Sequence, residues 1–346
     1  MSKYFFAAII AWLTWTTALQ AQSISNHEYE STIAQIANTV KERIRISGYG
    51  QVGYTFDSQQ EVNNEFEVKR IVLTTKANVT DQWIFHFVYN FRNGGTLQEF
   101  YTDYHIMPGL SLRLGQFKVP YTIENPMSLT IVELINSYSQ ATNYLAGVNS
   151  SDLLYGSNGG RDVGVMIYGD FWKERLSYRI GLFNGQGINT KDKNNQKDWI
   201  GSITLKPLKW LSLNGSFMKG KGHAVAASIY NDINVGENYR RDRWSGGIVI
   251  QSKRIDFRAE YLKGIDGKVR SEGCYTNITA HLFPKFDVIV SYDYLNKNKK
   301  MDARQTNYIG GIQYFFYPKC RLQAQYIFRH QNENSNIIQA QIQVAF

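Results

Sequence analysis

From Arg45 to Phe346 the residues change character every second position, in about sixteen runs near the 9–11 residues a tilted membrane-spanning strand needs. The runs fall near 45–56, 66–79, 83–92, 97–106, 110–117, 161–169, 175–184, 199–206, 211–219, 243–251, 255–263, 274–282, 286–295, 306–315, 320–329 and 337–346. The connections between them constrain the fold further. Every second one is short: Asn78 to Gln82, Met107 to Gly109, Asp170 to Glu174, Pro207 to Lys209, Ser252 to Arg254, Phe283 to Lys285 and Phe316 to Lys319. The others, at 57–65, 118–160, 185–198, 220–242, 264–273, 296–305 and 330–336, are longer and polar, and only Asn93-Gly94-Gly95 is tight. Tight turns at one rim and long loops at the other describe a closed antiparallel barrel in an outer membrane. A soluble sandwich has no reason to sort its loops by side. The even count leaves both termini on the short-turn, periplasmic side.

The alternation also assigns faces. In the final run Ile338, Ala340, Ile342, Val344 and Phe346 share one face, and Gln339, Gln341 and Gln343 the other. Leu110, Leu112 and Leu114 face lipid against Ser111 and Arg113, and Leu322, Ala324 and Tyr326 against Arg321, Gln323 and Gln325. The interior is expected to be polar and ionic, and sixteen strands enclose enough width for an aqueous channel. The 14% aromatic content suits interfacial girdles.

The N-terminus supplies an address. Lys3 precedes an apolar run from Tyr4 to about Leu19, followed by Ala21 and the polar Gln22-Ser23. This is the layout of a secretory signal over 1–21, cleaved after Ala21. Residues 22–43 read as a short periplasmic segment with a helix, because Ile33, Ile36, Ala37 and Val40 recur at helical spacing. The barrel then occupies 44–346. No later window holds 18 uninterrupted apolar residues, which excludes a helical membrane protein. The net charge of +9 comes without a Lys/Arg block, so nucleic acid is not an expected partner. The two cysteines, Cys274 and Cys320, are placed at opposite rims and expected to stay unpaired.

The outlying connection is 118–160. Asn125-Pro126 reads as an N-cap and first helical position, with Leu129, Val132 and Ile135 giving a short helical face. Gly156, Gly159 and Gly160 allow bends before the next strand. The segment is expected to fold inward and narrow the lumen, with Glu124, Asn125, Pro126 and Glu133 as constriction residues.

Phe66-Glu-Val-Lys-Arg-Ile-Val-Leu73, Leu112-Arg-Leu-Gly-Gln-Phe-Lys-Val-Pro120 with Glu124, Gly160 to Gly169, and Phe183-Asn-Gly-Gln-Gly187 followed by Asp192 and Asn194 carry a resemblance. On these residues the chain resembles the phosphate-selective porin O/P family of Gram-negative outer membranes, from about residue 44 to Phe346. The resemblance implies a sixteen-stranded, trimeric channel with its third loop folded inward and a preference for anions, phosphate among them. The basic residues that the family's phosphate specialists carry at the constriction are few in 118–160, with Lys118 at its start and little before Arg161.

Anion selection needs fixed cations along the pore. Strand parity turns Arg45, Arg70, Lys76, Arg92, Arg113 and Arg179 inward, and Lys118 begins the long loop. Pairing with inward carboxylates such as Glu99 and Asp103 is the structural alternative. The reading is a homotrimeric porin among outer-membrane lipid, passing small hydrophilic and preferentially anionic solutes. It has no cofactor, metal or catalytic residue: the 189–198 loop lacks the Gly and Glu of a Ca²⁺ loop, and no lipid-facing His–Ser pair is found. The alternative is an adhesive barrel with a blocked pore, binding through its long loops.

Overall fold

The computed structural model describes residues 42–135, 138–148 and 159–346. The expected signal (1–21) and nearly all of 22–43 lie outside the described residues, as does Gly156.

Sixteen strands form where the sequence alternates. They are β1 (Ile44–Asp57), β2 (Asn64–Asn78), β3 (Trp83–Asn90), β4 (Thr96–Met107), β5 (Leu110–Lys118), β6 (Arg161–Phe171), β7 (Leu176–Phe183) and β8 (Asp198–Leu208). The second half holds β9 (Leu211–His223), β10 (Asn238–Gln251), β11 (Ile255–Asp266), β12 (Val269–Phe283), β13 (Phe286–Asn296), β14 (Arg304–Tyr317), β15 (Cys320–His330) and β16 (Ser335–Ala345). Each pairs with its sequence neighbours, and β1 pairs antiparallel with β16, so the sheet closes. At the seam Gly48 and Phe346 exchange both backbone hydrogen bonds, at 3.2 and 3.0 Å. Closure leaves no sheet edge, which a lipid environment demands because it offers backbone groups no other partner.

The outward rows are apolar and exposed, including Val52, Leu114, Ile203, Leu213, Ile312 and Ile342. The inward rows carry the buried polar groups, among them Gln51, Asp103, Arg258, Glu260, Gln323 and Gln343. Amides tie the inward rows at and beside the seam: Gln51 on β1 donates to Gln343 on β16 at 2.8 Å, and between β15 and β16 Gln341 donates to Gln323 at 3.0 Å and Gln325 to Gln339 at 2.7 Å. That network is why the last strand alternates aliphatic and amide side chains.

The structure corrects three expectations. Strands β9, β10 and β12 run further than hydropathy indicated, and the expected 264–273 loop is a tight turn at Gly267-Lys268. Beyond the lipid the outward residues become charged, as at Lys219, Arg240 and Arg270, so apolar alternation fades while backbone pairing continues. Strand β3 stops at Asn90, and Arg92 sits in a one-turn 3₁₀ helix (Arg92–Gly94). The interior is not uniformly polar either. Inward Ile289, Ile309, Ile327 and Ile337 form one apolar patch, and Ile200, Leu262 and Leu295 belong to another.

Because a closed barrel offers no edge from which to unzip, detergent-extracted protein should migrate faster unboiled than boiled. Equal mobility with a helical circular dichroism spectrum contradicts the fold. Cys274 and Cys320 are both free; Cys274 lies inside β12, and the Cys320 thiol donates to the Ala345 carbonyl at 3.4 Å. Oxidation of the folded chain should therefore form no intramolecular disulfide, read by intact mass after alkylation.

Candidate functional site

The connection from β5 to β6 begins with a backbone that only glycine fits. Gly115 has φ +133°, and a Cβ there would meet the Phe100 carbonyl oxygen at 2.3 Å and the Tyr101 Cα at 2.7 Å. That close approach seats Gln116, whose amide donates to the Leu97 and Gln98 carbonyls, both at 3.0 Å. Lys118 then turns to the loop, and its ammonium donates to the Tyr138 hydroxyl at 2.8 Å and to the Met127 carbonyl. Burial pushes the Tyr138 phenol pKa up, so it stays a protonated donor, and it reaches the Met127 carbonyl at 2.8 Å.

Asn125 does not cap a helix. Its side-chain nitrogen donates to the Val119 carbonyl at 2.9 Å and the Gly160 carbonyl at 2.8 Å, joining the two ends of the connection. The helical face expected for 125–135 is absent: these residues form turns and bends, and Val132 and Leu134 pack with Ile289, Ile309 and Ile327. Among the described residues the helix of this connection is α1 (Gln140–Leu145), capped by Ser139, whose Oγ accepts from the Thr142 N–H at 3.2 Å.

Glu124 is fully buried and organises the segment. One oxygen accepts from the Ser139 N–H at 2.9 Å; the other accepts from Asn277 at 3.1 Å and Arg258 at 3.4 Å. Arg258, on β11, also pairs with Glu133 at 2.5 Å. Further along, Glu260 accepts from the Ile123 N–H at 3.0 Å, and Asp293 from the Gln140 N–H at 2.7 Å. Arg321 donates to the Val132 carbonyl at 2.7 Å, Gln323 to the Glu133 carbonyl at 2.9 Å and Gln343 to the Thr130 carbonyl at 3.2 Å. All these wall partners stand on the inward faces of β11, β12, β13, β15 and β16. Of the four expected constriction residues, Glu124, Asn125 and Glu133 are therefore anchors, and only Pro126 is exposed.

The opposite wall, β1 to β7, borders a cavity of about 440 Å³ lined by Pro126, Ser128 and Leu129 on one side. Arg113, Lys118, Arg161 and Arg179 line the other, with Glu99 and Asp170. Arg113 makes two bonds to Asp103, at 2.7 and 2.9 Å, and lies 4.1 Å above the Tyr101 ring. Arg161, not counted among the pore-lining candidates, pairs with Glu99 at 2.7 Å. Arg70 donates to Gln51 at 2.8 Å and makes no ion pair among the described residues, nor do Lys76 and Arg179. Arg92 pairs with Glu67 at 3.0 Å at the long-loop rim, and Arg45 stands exposed near the start of β1. The structure thus gathers Arg113, Lys118 and Arg179 at one cavity and leaves Arg92 out of the wall.

A His–Ser contact exists, His105 Nδ1 to Ser111 Oγ at 2.8 Å, but both residues belong to inward rows near the short-turn rim. The 189–198 loop bonds within itself and to β9, with Asp192 paired to Lys197 and Asn194 donating to the Lys221 carbonyl. Among the described residues no group of His, Cys, Asp and Glu is arranged to hold a metal ion.

Removing the Arg258 guanidinium leaves Glu124 buried beside Asn277 without its cation, a change worth about 3–5 kcal/mol. Arg258→Ala should lower the unfolding temperature of the detergent-folded barrel well below that of Arg304→Ala, a rim control. Equal temperatures would show the clamp to be unimportant.

The family model described as phosphate-selective porin O and P matches residues 39–244. No curated protein matches the chain in sequence. Among solved structures, an anion-selective porin from Comamonas acidovorans is similar at TM-score 0.66 and 14% identity, covering 88% of this chain and 99% of that one. OmpT, an outer membrane protein of Vibrio cholerae in a trimer form, is similar at 0.65 and 9%, covering 88% and 99%. A mutant porin of Rh. blastica is similar at 0.59 and 11%, covering 88% and 100%.

Proposed function

Because the chain belongs to the phosphate-selective porin O and P family, we propose that its barrel passes small hydrophilic solutes across the outer membrane by diffusion, favouring anions. The observation that carries this reading is the division of the inner wall. Residues 119–135 and 138–148 bond to inward side chains of β9–β16, where their glutamates and the wall's Glu260 and Asp293 are occupied by anchoring bonds, which supports a loop folded into the lumen. The lumen narrows against β1–β7, so the solute path runs between Pro126 to Leu129 and the wall that carries Arg113, Arg161 and Arg179.

The charges along that path are unequal. Arg113 and Arg161 are balanced by Asp103 and Glu99, so the net positive field comes chiefly from Arg70, Lys76 and Arg179. Fixed cations that no carboxylate holds in an ion pair raise anion entry while leaving exit easy, although Asp170 shares the cavity with Arg179. The loop adds only Lys118, already engaged by Met127 and Tyr138. We therefore read the preference as one for small anions generally, with phosphate among them and no dedicated phosphate cage. We take the working unit to be a homotrimer embedded in outer-membrane lipid, which the trimer form of one similar structure supports. The leader peptide read at 1–21 supports export.

Reconstitution in planar bilayers tests this. Stepwise currents are expected, with a reversal potential on the anion-selective side in a salt gradient; no stepwise current would favour the adhesive barrel with a blocked pore. Arg70→Gln combined with Arg179→Gln should move the reversal potential toward cations. Screening acts over about 8–10 Å at physiological salt, so the shift should shrink as ionic strength rises. Arg113→Gln should also lower stability, since it removes both guanidinium bonds from buried Asp103. A reversal potential unchanged by the first pair at low salt would remove this mechanism of selectivity.

A further inference from the structure

The outward face of β9–β12 differs from a plain lipid belt near the long-loop rim. Register gives one outward row of Lys219, Asp242, Ile265 and Arg270 and, next to it, a row of Phe217, Trp244, Lys263 and Glu272, so cations cluster over β9, β11 and β12. Lys219, Arg240, Lys268 and Arg270 are exposed, and Lys300 joins them from the next loop. The acids on this face are already engaged: Asp242 pairs with Arg240, and Glu272 accepts from Lys299 at 2.8 Å and Tyr261 at 2.9 Å. Lys219, Lys263, Lys268 and Arg270 make no ion pair among the described residues. Two adjoining hollows follow, sharing Lys263 and Arg270. One is lined wholly by Lys263, Lys268, Arg270, Lys299 and Lys300; the other reaches down to Phe217 and Trp244.

Directly below lies a gap in the apolar belt. Gly215 of β9 and Gly246 of β10 are opposite each other in the outward row, between Ile203 of β8 and Tyr261 of β11. A Cβ at Gly246 would meet nothing within 4 Å, and one at Gly215 only Ile203 at 3.8 Å. The notch is walled by exposed Ile203, Leu213, Phe217 and Trp244, with the Trp244 and Tyr261 rings 5.6 Å apart above it. A cationic hollow over an apolar notch, at one depth and on one face, matches a molecule with an anionic head and a hydrocarbon tail.

We propose that this outward face binds one phosphate-bearing lipid of the outer leaflet. Its phosphate sits among Lys219, Lys263 and Arg270, and an acyl chain lies along Gly215 and Gly246. The long-loop rim faces outward from the cell in barrels of this kind, which puts the headgroup in the outer leaflet. The complementarity in charge commits the site to an anionic lipid, and the apolar notch to a lipid over free phosphate.

The test uses the full-length barrel folded in detergent, and native mass spectrometry with hexa-acylated bisphosphorylated diglucosamine lipid as the probe. One bound lipid per protomer is expected, retained in millimolar inorganic phosphate and lost when the dephosphorylated lipid is offered. Each cation near an anionic lipid contributes roughly fivefold in affinity, so Lys263→Gln with Arg270→Gln should weaken binding roughly 30-fold. Gly246→Leu, which fills the notch, should weaken it while leaving the cations in place. All variants should keep the fast-migrating unboiled form and the wild-type reversal potential, because none faces the lumen. Equal binding of phosphorylated and dephosphorylated lipid, or unchanged binding in both variants, overturns the proposal. Displacement by inorganic phosphate overturns it in favour of a free-anion site. Dissociation of the oligomer in Lys263→Gln with Arg270→Gln overturns it in favour of an interface between protomers.

Discussion

Everything in this molecule depends on the pairing of β1 with β16. Nine register pairs run along the seam, from Tyr49 opposite Ala345 to Asp57 opposite Ile337, and they turn a curled sheet into a closed wall. Without them two strands would expose unpaired N–H and C=O groups to hydrocarbon, at a cost of several kcal/mol for each group. The seam is reinforced from inside by the Gln51 amide, which donates to Gln343 and accepts from the Arg70 guanidinium on β2. It is greased from outside by Val52, Ile338 and Ile342. The same alternation therefore serves closure and lipid contact at once.

Closure creates an interior, and the β5–β6 connection determines how that interior is used. Its attachment is polar as well as apolar, which fixes one position on the wall. Val132, Leu134 and Tyr138 cover the inward isoleucines of β13–β16, while Glu124 and Glu133 reach Arg258 on β11. Burying a carboxylate as completely as Glu124 is tolerable only because Ser139, Asn277 and Arg258 all donate to it. The arrangement satisfies polar groups on β11–β16 with loop atoms and leaves part of the β1–β7 wall bordering the cavity of about 440 Å³. The asymmetry of the lumen follows from where the loop is tied.

The barrel was legible because its periodicity of two is repeated sixteen times and the connections at one rim are all short, while most of those at the other are long. Inward and outward assignments such as Gln339 against Ile338 needed only strand parity. The strand extensions at Asn238 and Val269 were not legible, since Arg240 and Arg270 are polar residues on an outward face that no longer touches hydrocarbon. The site was half legible. Arg113, Lys118 and Arg179 could be placed at the wall by counting, but parity says nothing about partners, so the Asp103 bond of Arg113 and the clamp role of Arg258 were hidden. Asn125-Pro126 misled for a physical reason: an asparagine side chain closes a loop across 35 residues, to Gly160, as readily as it caps a helix. A signal for Arg258 did exist. Two glutamates, Glu124 and Glu133, in a long connection that must lie against a wall call for an inward cation, and Arg258 is on the wall.

The net charge of +9 consequently says little until each cation is sorted by what it meets. Arg113 and Arg161 are spent on Asp103 and Glu99 in the wall. Arg258 and Arg321 hold the loop, one through carboxylates and the other through the carbonyls of Leu129 and Val132. Arg241 and Arg243 lock the long-loop rim, pairing with Asp198 at 3.0 Å and Asp266 at 2.8 Å in nearly complete burial. Among the cations outside any ion pair of the described residues, Arg70, Lys76 and Arg179 stand on inward rows, and Lys219, Lys263 and Arg270 stand on outward ones. The two sets stand on opposite faces of the wall, the inward ones on β2 and β7 and the outward ones on β9, β11 and β12. The two sets therefore act on different partners, and substitutions in one should leave the behaviour of the other intact.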